Sequence, residues 1–363
     1  MDLQPSDDQQ AILDLATQIV GDLSTPDDLR TLERAGHTHH TELWRELVDA
    51  DLVGLALPEA SGGGGFGLCE AAMVAEVVGA HVAPVPYVEV VAAGRSLAMA
   101  GDDLARQVAG GVVVVPALRE GPDASETTSP GVVARGTGGD TTLTGTKRLV
   151  AGASTASAYL VSARADDGLG LYLVDAAAVP TSTDSSGMAG QPYRTIELDA
   201  TPGRPLAAGD DALASLLHEL RVLRCAHVAG VAQGALTLAA EHCKEREQFG
   251  SPIGTFQAVA HRLADSWLDV NLIRATARQA AWRTDNELPA TQAAASAALW
   301  ACEGVQRVVH AAQHVHGGVG VDLDYPVHRY FRWAKDVELQ LGGASVCLRD
   351  LGAAIAAEPL TIG

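Results

Sequence analysis

Two segments of this 363-residue chain carry side chains suited to holding a phosphorylated, ring-bearing ligand. The first is Glu245-Arg246-Glu247-Gln248-Phe249-Gly250, continuing through Pro252-Ile253 to Phe256 and Gln257. It sets one fixed cation, amides and an aromatic at the end of a helical stretch. Arginine suits a pyrophosphate because its planar fork donates two parallel hydrogen bonds, and Phe249 offers cover for an apolar ring. On residue chemistry alone, a Glu-Arg-Glu run is more often an exposed ion-paired face. The second segment is His314-Val315-His316-Gly317-Gly318-Val319-Gly320. Paired glycines let a ligand approach the backbone closely; alone, the segment is a helix C-cap followed by a loop.

Other chemistry is sparse. The five cysteines (Cys69, Cys225, Cys243, Cys302, Cys347) are scattered and odd in number, which predicts free thiols in a reducing cytoplasm. There is no CxxC pair and no HExxH, and His37, His39 and His40 have no carboxylate or cysteine at ligand spacing, so no metal is expected. The Gly run of Ser61–Gly67 does not follow a strand–turn–helix pattern and is taken as a turn between helices rather than a phosphate cradle. A formal net charge of −20 repels phosphate backbones, which argues against nucleic acid while still permitting an anionic ligand in a local cationic pocket. Met1, Asp2, Asp7 and Asp8 do not open a signal peptide. No stretch is read as a membrane span; the Ala-rich run near 290–301 carries Gln292 and is too short.

These segments need elements to position them. Hydrophobic residues make up 47% and aromatics only 4%, so the core must be built from Ala, Val and Leu, a composition that leans helical. Residues 1–108 form an N-terminal helical domain: Ser6 with Gln9 makes a capping box ahead of Ile12, Leu15, Ile19 and Leu23, Thr25-Pro26 opens a second helix, and Trp44, Leu47 and Val48 mark a third. Residues 109–210 form a small antiparallel β domain, with strands at Val112–Val115, Gly131–Arg135, Thr141–Leu143, Tyr159–Ala163 and Leu169–Val174. Residues 211–363 form a four-helix bundle. Its first helix runs from about 213 to 246, with Ala226, Gly230, Gly234 and Leu238 as a mostly small ridge for close helix packing. Val259, Leu263, Trp267 and Val270 mark the second helix. Leu299, Cys302, Val305 and Val309 mark the third, and Leu341, Leu348, Leu351 and Ile355 the fourth. The fold class is α+β.

In that setting the two segments resemble the acyl-CoA dehydrogenase family, which has an R-x-x-F-G-x-x-I…Q segment ending one bundle helix and a Q-x-x-G-G-x-G turn after another. Gly54-Leu55 with Pro58, Leu143-Thr144-Gly145-Thr146-Lys147 and Leu263-Ala264-Asp265 add to the likeness, which spans nearly the whole chain. The resemblance implies the family's fold and α,β-dehydrogenation of an acyl-CoA thioester with FAD, in which a base removes the proton next to the carbonyl while a hydride leaves the following carbon. In this family FAD lies between two subunits. Carried over by position, Arg246, Gln248, Phe249, Gln257, Gly317 and Gly318 would contact a neighbour's FAD. The family's glutamine in the turn falls on His314, with Gln313 one place early.

The pattern breaks at the base. The family's catalytic glutamate falls here on Leu341, before Gly342, or on Leu220, before Arg221, and neither leucine accepts a proton. Glu219 is the remaining candidate, but one helical step turns it by roughly 100° onto another face. Glu338 and Asp336 would need a shifted register. The family's T-E-P-x-x-G-S-D flavin-bed segment is unmatched by Leu118-Arg119-Glu120-Gly121-Pro122-Asp123. The leading expectation is therefore a subunit lacking the base, in a heteromeric α2β2 complex with a homologous partner. Actinobacterial enzymes of steroid side-chain CoA degradation in this family are built that way. The alternatives are a self-sufficient enzyme using Glu219, or a non-catalytic scaffold.

Overall fold

The computed structural model describes residues 4–121, 129–166, 168–208 and 210–357, so Pro122 and Asp123 of the unmatched segment lie outside the described residues. Six helices come first: α1 (Asp7–Leu23), α2 (Pro26–Arg34), α3 (Thr41–Asp49), α4 (Leu68–Ala80), α5 (Tyr87–Met99) and α6 (Leu104–Ala109). Eight strands follow: β1 (Val114–Ala117), β2 (Val133–Arg135), β3 (Thr142–Ala151), β4 (Ala158–Ala165), β5 (Gly168–Asp175), β6 (Thr181–Ser186), β7 (Pro192–Pro202) and β8 (Arg204–Ala208). Then come α7 (Asp210–Glu245), the short strands β9 (Glu247–Gln248) and β10 (Ser251–Pro252), α8 (Gln257–Asp285), α9 (Thr291–His316), α10 (Val327–Gln340) and α11 (Ala344–Ala357). The expected order of helices, sheet and helices is the order observed. By contacts the chain forms two compact units, one of residues 1–36, 72–83 and 221–363, the other of residues 37–71 and 84–220.

The first unit is helical. The Ser6 and Gln9 side chains accept each other's backbone N–H groups (3.2 and 3.0 Å), and Thr25 with Asp28 repeats the device ahead of Pro26. The small ridge on α7 meets α4 at backbone contact: a Cβ at Gly230 would overlap the Glu76 carbonyl, and one at Gly234 would overlap the Ala80 carbonyl and the Tyr330 ring. Glu76 also receives Arg274 of α8 and, more loosely, Arg278 at 3.5 Å. Correcting the sequence reading, one stretch does have the length and hydropathy of a membrane span, within 211–245 of α7. It is a core helix, with 83% of the apolar window buried in protein.

The last helices also depart from expectation. Val270 is buried, but Trp267 on the same predicted face is 58% exposed, with Leu268 and Leu272 exposed beside it. Helical spacing marks a stripe without saying whether the same chain covers it. The expected fourth helix is α11, with Leu341 lying outside it, and α10 precedes it as an additional short helix.

The second unit is built on one sheet in the order β6-β7-β3-β2-β4-β5-β8, with β1 beside β4. It is mixed rather than wholly antiparallel, since β1 and β2 each run parallel to β4. The Lys147 ammonium is fully buried and donates to Leu118 O, Ser162 Oγ and Glu120 Oε1. Burial pulls its pKa down to about 8, opposed by the Glu120 carboxylate. Glu120 in turn accepts from the Gly131 and Val132 N–H groups. The glycine run folds back on residues 54–58: Gly63, Gly64, Gly65 and Phe66 donate their N–H groups to Pro58, Gly54, Leu57 and Leu55 carbonyls. Those donors are consumed, so the run does not cradle phosphate. His40 Nδ1 accepts the Leu43 N–H at 3.1 Å, giving α3 a cap.

Candidate functional site

The Arg246 segment forms a strap between α7 and α8. Helix α7 ends as the Arg246 N–H reaches His242 O at 2.8 Å, and the strap closes where the Ile253 N–H donates to Arg246 O at 2.8 Å. Between these ties, β9 and β10 pair with Ser251 opposite Gln248, leaving Phe249 and Gly250 as a two-residue turn. Both have positive φ, +55° and +81°, as such tight hairpins demand. Glycine adopts this freely, whereas for phenylalanine it is a strained position. The turn projects Phe249 outward: it is 95% exposed, and its ring meets Phe256 edge-on at 6.1 Å.

The polar groups of the strap also face outward. Arg246 is exposed and makes no ion pair or side-chain hydrogen bond among the described residues. The solvated, ion-paired reading of Glu-Arg-Glu therefore lacks its ion pair. Gln248 is exposed and donates to Glu247 O at 2.7 Å. Gln257 is exposed in the first turn of α8, whose N-terminus has no side-chain cap and so keeps free N–H donors. Beside Ala258, an open groove of about 510 Å³ runs along α8 and α9. Of the two arginines lining it, Arg262 and Arg307, the latter is committed to Asp269 through two hydrogen bonds of 2.6 and 2.9 Å.

The second segment ends α9. Gly317 has φ 59° and ψ −132°, a conformation open to glycine alone, and its N–H caps the helix by donating to His314 O. A Cβ at Gly317 or Gly318 would meet nothing within 4 Å, and both residues are exposed. Gln313 donates its amide inward to Gly320 O at 3.2 Å and braces the turn. His314 is the side chain left facing outward. The structure brings the two segments together, because the His242 ring of α7 stacks on the His316 ring of α9 at 4.3 Å and 24°. The sequence reading did not single out His242 or Tyr325, and His316 entered it only as part of the glycine-turn segment. The available signal was the position of His242 one helical turn before Arg246, and of His316 directly before Gly317.

The base positions are apolar. Leu220 is fully buried and Leu341 is 8% exposed. Leu341 O accepts the Cys347 thiol at 3.4 Å, and Cys347 Sγ lies 3.7 Å from Cys302 Sγ. Arg221 is paired with Asp350 at 2.8 Å. Glu219 is buried and accepts from Arg95 Nε at 3.0 Å, while the same guanidinium donates to Ala56 O at 2.8 Å. The Glu219 carboxylate is buried and committed to Arg95 within its own subunit, so this geometry suits structure better than catalysis. Glu338 is gripped by Lys335, and buried Asp336 accepts from Gln340 at 3.4 Å.

The donor set fits one side of a dinucleotide: an unpaired fork for a pyrophosphate, a free helix N-terminus, an aromatic cover, and an open glycine turn for close backbone approach. Residues 6–108 match the acyl-CoA dehydrogenase N-terminal domain and residues 208–356 its C-terminal domain. The chain is 37% identical to the acyl-CoA dehydrogenase FadE27 of Mycobacterium tuberculosis, covering 99% of this chain and all of that protein. Among solved structures it resembles a Tcur3481–Tcur3483 steroid ACAD variant (TM-score 0.91, 41% identity, 97% and 98% of the two chains covered). It also resembles the ChsE4–ChsE5 complex of M. tuberculosis (TM-score 0.91, 37% identity, 99% and 100% covered). The chain belongs to the acyl-CoA dehydrogenase family, FAD-dependent oxidoreductases that act on the CH–CH bond of acyl-CoA thioesters.

Proposed function

We propose that this chain is the base-lacking subunit of a heteromeric acyl-CoA dehydrogenase, assembled as an α2β2 tetramer with a homologous partner. It lends Arg246, Gln248, Phe249, Gln257, His314, Gly317 and Gly318 to FAD seated on the partner, with Gln313 bracing the turn. The partner supplies the catalytic glutamate and the flavin-ring bed. The observation that carries this reading is a contrast within one chain. The outward-facing half-site keeps its free cation and strained, solvent-exposed aromatic, while both base positions are buried leucines. Within its own subunit Phe249 gains little burial to offset that strain, since it is 95% exposed.

When bound, the flavin supplies the hydride acceptor. This chain's part is binding: Arg246 pairs with a pyrophosphate, Phe249 covers an apolar ring, and the Gly317 turn presents backbone groups. The resemblance to a steroid ACAD supports a steroid side-chain CoA thioester as substrate. The three sequential regions 1–108, 109–210 and 211–363 belong to this reading as its domains, and five free cysteines fit a reducing compartment. The test is co-expression with a homologous neighbouring subunit, followed by an assay of dehydrogenation with steroid side-chain and straight-chain acyl-CoA. Turnover should require both chains and be lost when the partner's glutamate is replaced. Full turnover by this chain alone would overturn the proposal.

A further inference from the structure

The strap and the glycine turn come from different helices, yet the proposed half-site needs them at fixed spacing. The connection is made by three residues behind it. His316 is buried, and its Nδ1 lies 2.7 Å from Ala312 O. A carbonyl only accepts, so Nδ1 carries the proton and Nε2 is the acceptor. Tyr325 supplies the donor, giving its O–H to Nε2 at 3.2 Å. This tie closes the loop between the end of α9 and the start of α10, and the Gln313–Gly320 bond braces it from within. The tautomer and plane of His316 are thereby fixed. The half-buried His242 lies on that plane at 4.3 Å and edge-on to Tyr325 at 6.4 Å. His242 in turn accepts the backbone N–H of Arg246 at its carbonyl.

We propose that His242, His316 and Tyr325 are positioning residues that couple the Arg246 strap to the Gly317 turn, so that the two segments bind a dinucleotide as one unit. The inference rests on the lent half-site reading. None of the three is placed against the ligand; they act through Arg246 and Gly317. Burial holds both histidines below their ordinary pKa, and Arg246 and the facing His316 lower His242 further against the opposing Glu245. Two neutral rings stack without charge repulsion. Burial together with Glu241 and Glu245 keeps the Tyr325 phenol protonated and able to donate.

The test uses the co-purified complex stripped of flavin and titrated with FAD, with binding followed by flavin fluorescence. His242→Ala should weaken FAD binding by about tenfold, the size of a typical coupling between contacting residues. His242→Phe keeps an aromatic plane and should restore affinity to near wild type, which a role in hydrogen bonding or charge would not allow. Tyr325→Phe, which removes only the donor to His316, should weaken binding by a smaller factor. In the Arg246→Ala background, His242→Ala should have a smaller effect, because the strap it positions has already lost its guanidinium. Unchanged affinity in His242→Ala while Arg246→Ala binds weakly would overturn the coupling and leave the half-site standing. Unchanged affinity in Arg246→Ala itself would instead remove the half-site reading beneath it.

Discussion

Replacing Arg246 by alanine removes a guanidinium that has no side-chain partner in its own subunit among the described residues. The change should therefore cost the isolated fold less than about 0.5 kcal/mol, the usual effect of a surface substitution. The cost should appear on binding. A charge-assisted hydrogen bond contributes roughly 1.5–3 kcal/mol, and the fork can offer two to one pyrophosphate. Losing the equivalent of one such bond weakens FAD by roughly ten- to hundredfold. Arg246→Lys keeps the charge and loses the fork, so it should fall between wild type and alanine. The assay is FAD titration of the flavin-free complex, with thermal unfolding as the control. If Arg246→Ala bound FAD as tightly as wild type, or lost as much stability as affinity, Arg246 would not be a lent ligand.

Three further outcomes follow from the packing. Glu219→Gln should leave turnover per folded complex unchanged and lower stability by up to about 3 kcal/mol, because Arg95 is left with a neutral partner; steady-state rates and urea unfolding separate the two effects. Loss of turnover with stability intact would reinstate Glu219 as the base. Gly230→Ala should destabilise by about 1–3 kcal/mol or prevent folding, since its methyl overlaps the Glu76 carbonyl, and a thermal melt reads this directly. His227 is buried against Trp333, neither ring nitrogen has a well-formed partner among the described residues, and burial pushes its pKa from 6.5 to about 4, partly offset by the Ala75 backbone. The unfolded chain thus binds more protons between those values, so stability is lost as pH falls from 6.5 towards 4, by up to roughly 3 kcal/mol at about 1.4 kcal/mol per pH unit. Unfolding free energies at pH 7.5 and 5 should differ less in His227→Phe than in wild type; equal differences would rule the residue out as the source.

Features with a local cause were legible in the sequence. The Ser6–Gln9 box and Pro26 act within one helical turn, and the small ridge of Gly230 and Gly234 has one physical use, close backbone approach. Features set by distant partners were not. Strand β6 is fully exposed, so Thr181–Ser186 shows no apolar alternation to mark it. Trp267 sits at core spacing yet faces outward, because periodicity identifies a stripe and not its occupant. At the site, residue types and spacing located the strap and the turn. The positive φ of Phe249, the inward commitment of Gln313 and the His242–His316 stack are tertiary facts with no sequence period. The Arg95 partner of Glu219 is likewise distant in sequence.

The central claim is that this chain completes a flavin site centred on another subunit. Counting flavin per chain in the complex co-purified with its homologous partner tests it most directly. The account predicts one FAD for every two chains, with none retained by this chain alone. One FAD per chain, or a flavinated and active oligomer of this chain by itself, would contradict it.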